Sequence, residues 1–231
     1  MAGLIFIPCI KTNTNKVEIK YICFAQFHIR CLLHLLSARK IIGLRPKTTN
    51  SNNTMQIINS TPNDITAIFE LYDEAIAYQK KVFDKHWQGF DHDLVATEIA
   101  ENRQWKIIDN EQIACIFAIT FNDAAIWGEK DQQPSIYIHR IVTNPAFRGG
   151  FYVKHIVKWA KKYAKQQNKH FVRMDTWGDN QKLIDYYTQC GFTFVGIITP
   201  NNRNTLPKHY SAINLSLFEI EIEQEPSIKS D

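Results

Sequence analysis

The sequence has five cysteines, an odd number, and no two of them stand at CxxC or zinc-ligand spacing. That argues against a disulfide framework and a structural zinc finger, and for a reducing, cytoplasmic compartment. No charge-free apolar run approaches the roughly 20 residues that span a bilayer. The apolar opening 1–10 has no basic region before it and no clean small-residue cleavage site after it, so it does not read as a signal peptide. With 9 glycines and 8 prolines the chain has too little of either for a fibrous or low-complexity protein. No repeat occurs at solenoid or propeller spacing. No Ser/His/Asp or Cys/His nucleophile arrangement is visible, and Cys190, at an apolar position before a glycine, reads as a small buried hydrophobe.

What is present suits one globular domain with an extension. Hydrophobic residues make up 45% and aromatics 12%, enough to bury a core. Charge is uneven. Residues 1–54 carry eight Lys/Arg against the single acid Glu18, a local charge of +7. The remainder carries 19 basic and 22 acidic residues, or −3, so the whole-chain +4 comes from the first segment. A nucleic-acid reading based on overall basicity therefore has the wrong part of the chain. The polar run 47–54 reads as a linker, and Met55 opens a new composition. Residues 1–54 are expected to be an extension outside the fold, with Met55 as the natural start. A basic amphipathic helix for a membrane surface or a partner is the rival reading of that segment.

From Met55 onward the periodicities alternate. Residues 56–59 are extended. Ser60-Thr-Pro-Asn-Asp64 is a capped start with proline in the first turn, followed by helical spacing over 65–82. A second, short helix is expected over 94–101. Strands follow at 105–108 and 112–121, joined by a tight turn, and at 135–143. A helix is expected over 149–167, a strand over 170–177, a helix over 180–190, and strands over 192–199 and 210–222. That order predicts a mixed α/β sandwich.

Two stretches carry a resemblance. One is Asn144-Pro145-Ala146-Phe147-Arg148-Gly149, after a strand and before a helix. The other is Asn180-Gln-Lys-Leu-Ile-Asp-Tyr-Tyr-Thr-Gln-Cys-Gly-Phe192, with Asn180, Leu183, Tyr187, Gly191 and Phe192 in register with an N-x-x-a-x-x-x-Y-x-x-x-G-F run. In this order they resemble the GCN5-related N-acetyltransferase (GNAT) family over roughly 55–222. The resemblance implies an α/β fold with a mixed, mostly antiparallel central sheet. Helices would cover both faces, and splayed central strands would admit CoA. The physics at the first stretch agrees, because a helix N-terminus with glycine at its mouth offers free N–H groups and a positive dipole end to phosphate. Arg148 adds a cationic fork. The chain departs from the usual R-x-x-G-x-G/A loop, since Phe151 and Val153 stand at the small-residue positions. A pyrophosphate would then be held with a different backbone contour or more loosely.

The implied reaction is transfer of acetyl from acetyl-CoA to a primary amine of a small molecule by direct attack in a ternary complex. The implied cofactor-site residues are Ile141, Val142, Thr143, Arg148, Gly149, Gly150, Phe151, Tyr152, Val153, Asn180 and Tyr187. Tyr187 matches the general acid, since a phenol is protonated at neutral pH. His139, which alternates with Tyr137 and Ile141 and is expected to share their strand face, is the candidate base, with a merely pocket-shaping histidine as the alternative. Tyr137, Asp175, Trp177, His86 and Trp87 are expected to meet the acceptor. For Asp175 the bland alternative is pairing with Arg173 or Arg140; for His86 and Trp87 it is sealing of a core edge. No metal, nucleic acid or membrane partner is expected, and a homodimer is compatible with the sequence. A non-catalytic or weakly CoA-binding regulatory module, and a larger acyl group, stay open as alternatives.

Overall fold

The computed structural model describes residues 55–82, 86–178, 180–200 and 214–223, together with two short paired strands, Pro8–Cys9 and Lys20–Tyr21. The expectations that residues 1–54 lie outside the fold and that Met55 is the start, and the beginning of the last strand at Tyr210, lie outside the described residues. From Met55 the elements run β1 (Gln56–Asn59), α1 (Ile65–Val82), α2 (His92–Ala100), β2 (Gln104–Asp109), β3 (Gln112–Thr120), α3 (Ala124–Trp127), β4 (Ser135–Thr143), α4 (Tyr152–Gln166), β5 (Phe171–Trp177), α5 (Gln181–Gln189), β6 (Thr193–Ile198) and β7 (Leu215–Glu221). The predicted order is present, and α3 is an addition inside a stretch expected to be a loop.

The seven strands form one sheet in the order β1-β2-β3-β4-β5-β7-β6. Only β4 and β5 run parallel; every other neighbouring pair is antiparallel. Parallel neighbours need a crossover, and α4 supplies it. Helices cover both faces. The larger core lies under α4 and α5, where Val153, Ile156 and Ala160 of α4 pack on Ile136 and Ile138 of β4 and Phe117 of β3. The second core joins Ile68, Leu71 and Tyr72 of α1 and Val95 and Ile99 of α2 to Ile116 and Val142 on the opposite face. The start of α1 is held locally, where Asp64 accepts from Thr61 N at 2.7 Å and Thr61 Oγ1 at 2.8 Å. Lys106 Nζ meets the same carboxylate at 2.6 Å, which ties α1 to β2.

One irregularity in β4 organises the centre of the sheet. Cys115 and Ile116 face Thr143 and Val142, but Ala118 faces His139, so β4 holds one more residue than β3 across this stretch. This is a β-bulge, and Arg140 sits in it at φ +50°, in the left-handed region. The alternation expected through Tyr137, His139 and Ile141 therefore fails. Ile136, Ile138 and Ile141 all belong to the α4/α5 core, whereas Tyr137 and Val142 belong to clusters on the other side. A bulge adds one residue to a period of two, and every side chain beyond it changes face.

The bulge is anchored by charge. Arg140 is fully buried, its Nη2 donates to Glu98 Oε2 on α2, and its Nε donates to Tyr72 OH at 3.2 Å. Tyr72 OH in turn donates to Gln104 Oε1 at 3.3 Å, and Arg103 Nη1 lies 3.6 Å from Glu98 Oε1. The guanidinium also sits 5.3 Å from the Phe90 ring centroid. A buried pair broken on one side strands the other charge. Glu98→Ala is therefore expected to destabilise the domain by about 3–5 kcal/mol, read as a fall in the calorimetric Tm. Exposed Glu101→Ala, tested beside it, is expected to change little.

Candidate active site

Beyond the bulge the two parallel strands part. Pairing between β4 and β5 runs from Ser135↔Phe171 to Ile138↔Met174 and then stops. Residues 139–143 continue against β3 alone, and Asp175, Thr176 and Trp177 continue against β7 alone. The facing backbone edges of the two strands have no strand partner there. Such an opening can pair with an extended, amide-bearing ligand by main-chain hydrogen bonds.

The turn after β4 leads to a helix mouth. Asn144 fixes it, with its Nδ2 donating to Ile113 O at 2.9 Å and its Oδ1 accepting from Ala146 N at 3.0 Å. Arg148 and Gly149 follow, and Gly149 has φ +89°. Phe151 then precedes α4 at φ 52°, ψ 35°, a left-handed conformation that glycine adopts without cost. The loop therefore keeps a glycine-type backbone without the glycine, and only the exposed phenyl ring is new. Gly150 is fixed by contact, because a Cβ there would lie 2.5 Å from the Tyr152 ring. Tyr152 is buried and donates to Asp109 Oδ2 at 2.8 Å, so its side chain is committed to β2. What residues 151–153 can offer an anion is their first-turn N–H groups.

On the same face as α4, α5 is closed at both ends by residues of the second motif. Asn180 Oδ1 accepts from Lys182 N at 3.1 Å and Leu183 N at 3.4 Å. Its side-chain oxygen is thus spent on the helix cap. Gly191 at φ +104° ends the helix, with Phe192 N donating to Tyr187 O at 3.1 Å and Gly191 N to Thr188 O at 3.0 Å. Tyr187 is fully buried between Phe192 and Phe218, and burial holds its phenol well above the usual tyrosine range.

On the other face, three polar side chains converge at the head of the opening. One ligand atom each from Asp123, His139 and Asp175 lies within 4.8 Å of the others. His139 Nε2 is 3.6 Å from Asp123 Oδ2. Asp175 is 1% exposed and neither of its oxygens has a hydrogen-bond partner; the same holds for His139 Nδ1 and Asp123 Oδ2. Burial pushes the Asp175 carboxyl up to about 7, and Asp123 adds to the rise. Burial likewise pushes Asp123 up to about 6, with Asp131 adding to it. Burial, with Arg140 and Arg103 nearby, holds the His139 imidazole well below its usual range, so it is neutral at pH 7.

The neighbouring arginines do not neutralise this group. Arg140 serves Glu98. Arg173 donates to Glu219 at 3.2 Å, to Lys130 O at 2.6 Å, to Ser135 Oγ at 2.9 Å and to Gln133, and lies 4.8 Å from the Trp127 ring. Arg173 thus straps the segment 128–133 to the sheet. Asp131 of that segment accepts from Asp123 N at 2.6 Å, which sets Asp123 in place.

The sequence pattern of the Acetyltransferase (GNAT) family matches residues 65–192, more than half of the chain. The chain belongs to the GNAT family. Among curated proteins it is similar to the N-acetyltransferase YesJ of Bacillus subtilis (strain 168), itself described as uncharacterized, at 28% identity over 74 residues. That match takes in 32% of this chain and about two fifths (41%) of the relative. Among solved structures it resembles a GNAT acetyltransferase of Listeria monocytogenes 4b F2365, with TM-score 0.60 and 20% identity over 73% of this chain and 95% of that one. It also resembles yncA of Salmonella typhimurium, whose structure holds its cofactor acetyl-CoA, with TM-score 0.55 and 14% identity over 78% of this chain and all of that one. At these identities the structural likeness speaks for the fold.

Within the GNAT domain, the structure brings together His139 and Asp175, two residues singled out separately in the sequence, and adds Asp123. It excludes the bland alternative for Asp175, which pairs with neither Arg173 nor Arg140. Trp177 packs on the same side, between the second core and a small cluster with Trp127 and Tyr137. Two expected acceptor contacts, Trp87 and Tyr137, turn out to be packing. Trp87 is fully buried beside Tyr72 and Phe90, its backbone N–H donating to Gln79 Oε1 at 2.8 Å, and His86 Nδ1 lies 2.7 Å from Trp87 O. Tyr137 is fully buried and accepts from Arg173 Nη1 at 3.4 Å. Aromatic bulk between two amphipathic helices fills a core before it lines a pocket. Asp123 has one signal in the sequence, an acid just before Ala-Ala-Ile-Trp, but that pattern assigns the carboxylate to a helix cap. In the structure its backbone carbonyl takes the α3 amides and its side chain makes no cap bond.

Two outcomes follow. Phe151→Gly is expected to tighten acetyl-CoA binding about two- to tenfold by calorimetry. The backbone already has the left-handed form, and the stability change stays within about 1 kcal/mol because relief of strain offsets the entropy of the unfolded glycine. The second concerns pH. A carboxyl whose folded pKa lies above its unfolded value near 3.8 favours folding at low pH, and that stability is lost as pH rises through about 7. Asp175→Asn removes the loss, so its Tm advantage over the wild type is expected to open between pH 4 and 7 and reach at least about 3 °C at pH 8. His139, held neutral, acts in the opposite direction in acid and is common to both proteins.

Proposed function

We propose that this GNAT domain transfers the acetyl group of acetyl-CoA to a primary amine of a small molecule, by direct attack in a ternary complex. One observation carries the reading. The unpaired edges of β4 and β5 beyond Ile138 and Met174 run between the α4 mouth on one side and the buried Asp123–His139–Asp175 group on the other. The yncA protein, similar in fold, holds acetyl-CoA. A pyrophosphate suits the N–H groups of residues 151–153, with Gly149 and Gly150 allowing close approach and Arg148 supplying charge. Pantetheine amides suit the backbone of Ile141, Val142 and Thr143. The acceptor approaches from the face that carries Asp175 and Trp177.

The chemistry needs a neutral amine and a proton for the departing thiolate. Tyr187 supplies the second, since burial keeps its phenol protonated at any working pH. A non-catalytic module is the other reading, and the exposed Phe151 ring at the α4 mouth is what favours it. Titration with acetyl-CoA separates the two: absence of binding removes the transferase reading. Given binding, a thiol-release assay over a panel of amines reads turnover. Tyr187→Phe keeps the ring between Phe192 and Phe218. It is expected to lower kcat about 10²-fold or more while the acetyl-CoA Kd changes by less than about twofold; an unchanged kcat takes Tyr187 out of the acid role.

A further inference from the structure

Three side chains of metal-ligating chemistry meet where β4 and β5 part. Asp123 comes from the turn before α3, His139 from β4 and Asp175 from β5, and one ligand atom of each lies within 4.8 Å of the others. Both oxygens of the buried Asp175 carboxylate, and Oδ2 of Asp123, have no hydrogen-bond partner. Buried carboxylates left in this way are costly unless a cation completes them. The neighbouring arginines are engaged elsewhere, Arg140 with Glu98 and Arg173 with Glu219 and Lys130 O. A cation from outside the chain is what the group lacks.

The distances suit a metal ion. Donors held tetrahedrally at roughly 2.0–2.2 Å from zinc stand about 3.3–3.6 Å from one another. His139 Nε2 lies 3.6 Å from Asp123 Oδ2. The broad χ2 torsion of an aspartate lets Asp175 complete the set. One imidazole nitrogen and two carboxylate oxygens suit zinc and its first-row neighbours, whereas magnesium and calcium take oxygen ligands and more of them. Burial, with Arg140 and Arg103 nearby, keeps the His139 imidazole in the neutral form that ligates.

We propose that Asp123, His139 and Asp175 bind a divalent first-row metal ion of the zinc class, each giving one donor, with the fourth position left to water or to a ligand in the strand opening. The site is held from behind. Asp123 N donates to Asp131 Oδ1 at 2.6 Å, and Arg173 straps the segment that carries Asp131 to the sheet. Strand pairing fixes the other two donors, His139 opposite Ala118 of β3 and Asp175 opposite Leu217 of β7. No metal was expected from the sequence, because the three donors come from separate elements and form no local spacing. The site goes beyond the transferase reading and does not depend on it.

The test uses the full chain, stripped of metal with a chelator and titrated by calorimetry with zinc, manganese and magnesium chlorides in the absence of acetyl-CoA. The expected result is stoichiometric zinc binding with a raised Tm, weaker binding of manganese and none of magnesium. Asp123→Asn, His139→Gln and Asp175→Asn are each expected to weaken zinc about tenfold or more. His155→Gln, at an exposed position on α4, is expected to leave it within about twofold. Two measurements on the wild type need no variant to fold. Cobalt(II) in place of zinc is expected to show nitrogen and oxygen ligation without thiolate charge transfer. A zinc-soaked crystal is expected to give an anomalous difference peak among the three side chains. Absence of zinc binding, binding unaltered in all three variants, thiolate as the only cobalt ligation, or an anomalous peak only elsewhere overturns the site. Failure of acetyl-CoA to bind removes the transferase reading and leaves the metal site standing, and failure of zinc to bind does the reverse.

Discussion

The bulge at Arg140 is the constraint on which the rest of the structure depends. A central strand that kept its alternation would have no reason to part from its parallel neighbour. Here one inserted residue, held in the left-handed region, sends a guanidinium into the α1/α2 layer, where Glu98 and Tyr72 take it. Pairing between β4 and β5 ends at Ile138↔Met174, two residues before that insertion. The ion pair thus fixes a change of direction in the strand, and the change of direction makes room for a ligand. That is a specificity role for a buried pair, whose net stabilisation is small once desolvation is counted.

Charge is distributed asymmetrically around this opening. Among the described residues, the fully buried arginines are satisfied, Arg140 by α2 and Arg173 by the segment 128–133 and by Glu219. The two carboxylates beside them are not, although each arginine lies on a strand that carries a member of the group. The fold spends its cations on holding a bulge and a strap, and leaves the anions at the head of the opening.

The mouth of α4 shows a different economy. Phe151 takes a conformation that favours glycine, and Gly150 yields its side-chain space to Tyr152. A glycine-type backbone is kept with a different side chain, because what a helix's first turn can offer an anion is its N–H groups, which are independent of the residues that carry them.

How far the sequence reaches can be judged residue by residue. Helix α1 and strand β4 lie where periodicity and capping put them, and the Asn180 cap and Gly191 stop are as expected, because these are local effects of spacing and φ. The fold was legible through the order of those elements and the two motifs; His139 and Asp175, singled out by the same reading, lie beside each other at the strand opening. Asp123 was not legible, since its pattern fits a helix cap, nor was the packing role of Trp87 and Tyr137. The face of Ile141 was misplaced by the bulge. The sequence by itself determined where helices and strands begin and end and which residues carry titratable groups. Only the tertiary structure decided which strand bulges, which arginines are already engaged and which carboxylates are left facing one another, because those depend on groups as far apart in the chain as Glu98 and Arg140 or Asp123 and Asp175 sharing one low-dielectric interior.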